Sequence, residues 1–232
     1  MPVRADSLAS SRLRRLAQRS AVEREAQMEH CDLCSEAIPA DHRHLLDLRN
    51  RELMCVCRAC KMLFDRGAAG AGHYRLVPDR RLRVDDFEMD DLAWEELRLP
   101  VELAFFFRGS QAGRVLAYYP SPMGATESLL PLDAWEQLER SNPLLLTLED
   151  DVEALLVNRA RGARRHWVVP IDDCFSLVGV IRMHWKGLTG GKDVWEEIGR
   201  FCDQLDRRSR QASGQDEGPS RVAPAATAPQ GR

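Results

Sequence analysis

No stretch of this chain approaches the ~20 consecutive apolar residues that a membrane-spanning helix needs, so no membrane span is expected. An excess of charge is missing as well. There are 33 Lys and Arg against 36 Asp and Glu, and the net charge of −3 gives no overall attraction to nucleic acid or anionic lipid. Nucleic acid is therefore not expected as a partner. No leader pattern is visible at the N-terminus, since Arg14-Arg15 is followed by no hydrophobic segment and is not a twin-arginine signal. The expected location is the cytoplasm, where thiols stay reduced and a disulfide framework does not form. No internal repeat is present.

Complete catalytic motifs are also lacking. Gly187-Leu-Thr-Gly-Gly-Lys192 looks like a phosphate loop but has one residue too few between its glycines, and Asp193 stands where a magnesium-binding Ser or Thr would be. No serine is matched to a His–Asp couple at a recognisable spacing. The chain is thus expected to be non-catalytic.

What the sequence does have is a concentration of cysteine. Five of its seven cysteines lie between Cys31 and Cys60. Cys31-Asp-Leu-Cys34 and Cys57-Arg-Ala-Cys60 are two C-x-x-C pairs separated by 22 residues, a spacing that suits a tetrahedral four-thiolate site. Two copies without a surrounding βαβ pattern argue against a redox motif. Cys31, Cys34, Cys57 and Cys60 are the expected metal ligands. Cys55 ends a strand-like run and is expected as a small buried thiol or an alternate ligand. Cys174 and Cys202 sit on apolar helical faces and are expected in the core. Zinc is the expected ion, with iron as the alternative: rubredoxin-like sites place Gly or Pro beside the cysteines, whereas Asp32, Leu33, Ser35, Arg58, Ala59 and Lys61 stand here.

The fold class expected is α+β, a small treble-clef or zinc-ribbon module followed by an α+β domain. Residues 1–28 are expected to be weakly structured and residues 208–232 disordered, being poor in apolar residues. Residues 29–66 form the metal module: knuckle, hairpin turning at Arg49-Asn50-Arg51, knuckle, helical turn. A module this small depends on its metal. Gly67 to Gly72 reads as a linker, and residues 73–207 as the α+β domain. Its expected strands are 73–77, 99–107, 114–119 and 166–169. Expected helices start near Pro131, span 146–160, carry Cys174, Leu177, Val178, Ile181 and Trp185 on one face, and end with Val194, Ile198, Phe201, Cys202 and Leu205. Asp172 or Asp173, and Thr189 or Asp193, are candidate caps for the last two helices.

Three further groups bear on function. Asp41-His42-Arg43-His44 lies between the knuckles and resembles the DH pair of HNH-type nucleases, but no Asn or His follows Cys60 on the helix, where Lys61-Met-Leu-Phe stands. His42 and His44 are expected to hydrogen-bond a thiolate, cover the hairpin or serve as alternate ligands. Arg159, Arg161, Arg164 and Arg165 form a basic cluster able to meet an acidic partner, with solvated faces and internal ion pairs as the plainer alternative. Residues 119–128 read as a polar, proline-bearing loop between a strand and a helix, with Ser121, Thr126, Glu127 and Ser128 as its hydrogen-bonding groups.

Long matching segments carry a resemblance. They are CDLC at 31–34, HRHLLDL at 42–48, CRAC at 57–60, HYRLVPDRRLRVDDF at 73–87, AFFFR at 104–108, YPSPMGATESLLPLDAWE at 119–136, VEALLVNRARGARRHWVVPIDDC at 152–174 and LVGVIRMHWKGLTGGKDVWEEI at 177–198. With these the chain resembles a bacterial family of unknown function whose genes lie beside high-affinity nickel–iron hydrogenases. The resemblance implies an accessory or assembly role, with a hydrogenase subunit or maturation factor as partner. A rubredoxin-like electron carrier and a zinc-module nucleic-acid-binding regulator are the alternatives.

Overall fold

The computed structural model describes residues 29–64, 72–187 and 190–212. The readings of the N-terminal tail, of the C-terminal tail beyond residue 212, of Thr189 and of nearly all the Gly-rich linker fall on residues outside that set. The chain divides into two compact units, meeting between Leu76 and Val77.

The first unit begins with a short antiparallel pair, β1 (Glu29–His30) and β2 (Ala37–Ile38). β3 (Arg43–Asp47) and β4 (Glu52–Val56) form a hairpin, followed at once by helix α1 (Arg58–Phe64). Side chains hold the hairpin turn. The Asp47 carboxylate accepts the Arg49 amide at 2.9 Å and its guanidinium at 2.7 and 3.1 Å, and Asn50 Oδ1 accepts the Glu52 amide at 3.1 Å. Arg51 takes a left-handed φ of 59° to close the turn. β5 (Tyr74–Leu76) was expected to open the second domain. It instead pairs antiparallel with β3, placing Leu76 opposite Leu45, so the first unit runs on to Leu76. The buried centre of this unit is Cys31, Ile38, Leu45 and Val56, too little apolar surface to order a hairpin without a crosslink.

The second unit is built on a seven-stranded sheet in the order β12-β6-β11-β10-β7-β8-β9. The strands are β6 (Leu82–Arg83), β7 (Leu103–Gly109), β8 (Arg114–Ser121), β9 (Gly124–Ser128), β10 (Glu153–Asn158), β11 (Arg165–Pro170) and β12 (Arg210–Gln211). All neighbours are antiparallel except β12 against β6. The helices are α2 (Asp91–Glu96), α3 (Leu132–Ser141), α4 (Ile171–His184) and α5 (Gly191–Arg208).

Alternation along β7 shows how both faces of the sheet are covered. Phe105 stacks beside Phe107 and Tyr118 and meets Phe175 of α4 edge-on. Phe106 points the other way, onto Trp94 of α2 and Trp135 of α3. The aromatic triplet therefore feeds two cores rather than one. α5 packs on α4, burying Val194, Ile198, Cys202 and Leu205.

The segment expected as a helix over 146–160 contains β10, the strand between β7 and β11, and every residue of β10 is buried. A run buried on both faces loses the alternation that identifies a strand. The expected loop at 119–128 is the β8–β9 hairpin, whose outer strand forms one edge of the sheet. Trp185 ends α4 rather than continuing its buried face. Neither Asp172 nor Asp173 caps α4; Asp173 instead receives Arg81 at 2.6 and 3.2 Å in a largely buried pair. Asp193 does not cap α5 but takes an ion pair from Lys186 at 2.6 Å. The position before α5 is Gly190, at φ 84°, where a Cβ would sit 2.8 Å from Val194 Cγ1, so both conformation and space require glycine. Residues 208–212, expected within a disordered tail, are ordered: Arg208 ends α5, and Arg210–Gln211 add the edge strand on β6.

Candidate metal centre

The first knuckle is the turn between β1 and β2. The Cys31 amide donates to the Glu36 carbonyl at 2.8 Å, the Ser35 amide returns to the Cys31 carbonyl at 2.8 Å, and Ser35 adopts φ 60°. This compact loop turns Cys31 into the buried centre of the unit and leaves Cys34 exposed. The second knuckle joins β4 to α1. Cys57 follows the strand and Cys60 falls in the first turn of the helix. The Lys61 amide bonds the Cys57 carbonyl at 2.9 Å and the Cys60 amide reaches Cys57 Sγ at 3.4 Å. Knuckle, hairpin and ligand-bearing helix follow one another as in a treble clef.

The four sulfurs of Cys31, Cys34, Cys57 and Cys60 lie within 4.8 Å of one another. Cys34 Sγ and Cys57 Sγ are 3.7 Å apart. A tetrahedral zinc or iron with bonds of about 2.3 Å requires sulfur–sulfur edges of about 3.8 Å, so the donor set fits such an ion with little movement. All seven cysteines are free thiols.

The electrostatics favour a cation. Burial opposes ionisation of Cys31, but amides from Cys57, Leu33 and Cys34 outweigh it and bring the thiol down to about 6. Cys60 goes the other way, up to about 12, because it shares hydrogen bonds with Cys34 and is desolvated beside Cys57 and Cys31. One thiolate is welcome there and a second is repelled. A divalent ion removes that conflict by compensating all four.

One residue that the sequence marked only as a neighbour of the cysteines supports this arrangement. Asp32, inside the first C-x-x-C, accepts the Cys55 amide at 2.6 Å and donates its own amide to the Cys55 carbonyl at 2.9 Å. An acidic residue within the knuckle was the available signal, and its partner across 23 positions was not. Cys55 lies outside the four-sulfur cluster and forms a second group with His42 and His44.

The other candidate residues fall in the second unit. Arg159 is buried and bonds Asp91 and the Met89 carbonyl, Arg164 also pairs with Asp91, and Arg165 binds Asp203 and Asp206. Arg161 lies over the Trp195 ring, 4.8 Å from its centre. Arg159, Arg164 and Arg165 are thus paired with carboxylates of the same chain, with Arg164 half exposed. The upstream arginines behave likewise, with Arg80 on Glu153, Arg81 on Asp173 and Arg83 on Asp85. Ser121 belongs to the β8–β9 turn, where its hydroxyl donates to the Gly124 carbonyl at 2.9 Å and accepts the Met123 amide at 3.1 Å. Glu127 accepts Tyr118 Oη at 3.0 Å and Arg114 at 3.3 Å.

Fold and site together define an α+β protein with an N-terminal four-cysteine cluster that can hold a metal ion. Residues 30–209 match the family of unknown function DUF5947, and the chain belongs to that family. No curated protein and no solved structure matches it.

Proposed function

We propose that this chain is a zinc-binding accessory or assembly factor for a nickel–iron hydrogenase, with no catalysis of its own. The observation that carries the reading is the closed set of four sulfur donors, which leaves no position on a tetrahedral ion for substrate and so suits a structural ion. Zinc suits residues that hold the cysteines on ordinary knuckles, and four free thiols suit a reducing cytoplasm. In the second unit, the arginines and carboxylates that could do chemistry are largely committed to one another, as in Arg80–Glu153 and Arg81–Asp173. The hydrogenase as client rests on the sequence resemblance.

A contact surface for such a client is the β8–β9 hairpin. β9 is an edge strand, and Met123 at the turn and Leu129 just beyond β9 are 90% and 87% exposed. Edge strands add strands from partners, and exposed methionine adapts to varied surfaces.

The test is deletion of the gene, followed by assay of hydrogen uptake and large-subunit processing, with a tagged pull-down from native cells. Impaired uptake or processing, with a hydrogenase subunit or maturation factor retained on the tagged chain, is expected. Unchanged uptake and processing with no hydrogenase-related protein retained sinks the reading. Specific retention of DNA with a steep salt dependence would promote a regulator instead.

A further inference from the structure

We propose that His42, His44 and Cys55 form a second metal site, separate from the four-cysteine cluster and suited to a divalent ion of the zinc class. Strand register builds it. His44 on β3 stands directly opposite Cys55 on β4, which puts their side chains on the same face of the hairpin. His42 precedes His44 by two residues, the spacing that returns a side chain to that face. One ring nitrogen from each histidine and Cys55 Sγ all lie within 4.8 Å of one another. The two imidazoles meet edge-on with centres 4.7 Å apart. Tetrahedral edges between such donors are about 3.3–3.6 Å, so closure asks for side-chain shifts of about an ångström.

His42 is already oriented as a ligand. Its Nδ1 lies 2.9 Å from the Pro39 carbonyl and 3.2 Å from Glu29 Oε2. Both acceptors lie on Nδ1, as the outer partners of metal-bound histidines do, so Nε2 is the nitrogen left to face an ion. The side chain is only 6% exposed, and Nε2 is buried with no hydrogen-bond partner. A buried imidazole nitrogen with no hydrogen-bond partner, beside a second imidazole and a thiol, is a donor set that a zinc-class ion selects.

The set differs from the four-cysteine cluster in one respect that matters chemically. Three donors leave the fourth position of a tetrahedral ion to water or an outside ligand. An ion held this way exchanges faster than one enclosed by four thiolates. Binding releases the Cys55 thiol proton to solvent. The inference stands independently of the accessory role.

The experiment is metal titration of the full-length chain under reducing conditions, with zinc for stoichiometry and cobalt for spectra. Wild-type protein is expected to saturate at two ions per chain, and His42→Gln/His44→Gln and Cys55→Ser each at one. A chromophoric chelator should remove one ion rapidly and one slowly from wild type, with the rapid phase gone in both variants. Saturation of wild type at one ion overturns the proposal, as does a second ion kept by a folded variant. Should the variants fail to fold, wild type still decides: the second cobalt must add sulfur-to-cobalt absorption weaker than the first, and a second cobalt adding none overturns the site.

Discussion

The Asp32 carboxylate accepts the Cys55 amide at 2.6 Å, and the Asp32 amide donates to the Cys55 carbonyl at 2.9 Å. This reciprocal pair ties the first knuckle to the strand that leads into the second. In the folded unit it holds the two pairs of sulfurs in register with each other. Asp32→Ala removes the side-chain half of the clamp. Because Asp32 is exposed, the expected effect is modest, roughly a fivefold loss of metal affinity. Competition with a chromophoric chelator measures it, and unchanged affinity would show that the clamp does not organise the site.

Loss of a ligand should be far more damaging. Structural zinc contributes about 10–16 kcal/mol of apparent folding free energy in small modules, and the buried cluster among the described residues of the first unit is small: Cys31, Ile38, Leu45 and Val56. Cys34→Ser and Cys57→Ser are expected to unfold residues 29–64. Cys55→Ser should keep the ion of the four-cysteine cluster. Amide hydrogen exchange over residues 29–64 distinguishes the cases, with protection lost in the first two variants and kept in the third.

Chelation is expected to spare the second unit. Its cores on both faces of the sheet, around Phe105 on one side and Phe106, Trp94 and Trp135 on the other, include no cysteine of the cluster. A cooperative thermal transition should survive metal removal. Complete loss of any transition on chelation would show that the unit depends on the ion.

The cysteine cluster was legible because its chemistry is local: two pairs at fixed spacing define four donors whatever surrounds them. The knuckle–hairpin–helix order could be read for the same reason. The errors came where tertiary context decides. Glu153–Asn158 is buried on both faces and so shows no period of two. Gly124–Ser128 is a polar edge strand, which looks like loop because solvent takes the place of a neighbour. Asp173 resembled a cap but is drawn into a pair with Arg81, a residue 92 positions away. For the arginine cluster internal ion pairs were the plainer reading, but their partners, Asp91, Asp203 and Asp206, come from distant helices and could not be named. His42, His44 and Cys55 could be named, but only the pairing of β3 with β4 shows that His44 and Cys55 face each other.

His166 gives the second unit a definite acid sensitivity. It is buried against Phe87, ring centres 4.7 Å apart, with Nε2 unpartnered. Burial first, then Arg159 and Arg164, lowers its pKa to about 4, against about 6.5 in an unfolded chain. A depressed histidine pKa means the unfolded state takes up the proton first. The contribution is fully present above about pH 6.5 and is lost as pH falls toward 4. Between pH 7 and 5 the loss is about 2 kcal/mol. His166→Phe keeps the stacked ring and removes the titration, so its urea midpoint should fall less over that interval than that of wild type. Equal falls would show that His166 is not the group responsible.

The β8–β9 hairpin is where partner binding is expected to be separable from folding. Its turn is held from within: Ser121 Oγ accepts both the Met123 amide and Thr126 Oγ1, each at 3.1 Å, and donates to the Gly124 carbonyl. The side chains of Met123 and Leu129 do not share in that network and are almost fully exposed, so charging them removes little packing. Met123→Glu with Leu129→Glu should leave the thermal midpoint unchanged, since surface changes of this kind rarely move stability by more than about 0.5 kcal/mol. Capture of a hydrogenase subunit or maturation factor should fall at least tenfold, because a carboxylate in an apolar contact must be desolvated without a counter-charge. Arg164→Glu with Arg165→Glu should do the reverse, breaking the pairs to Asp91, Asp203 and Asp206 and lowering the midpoint. Undiminished capture by the folded Met123/Leu129 variant would remove the hairpin as the contact surface.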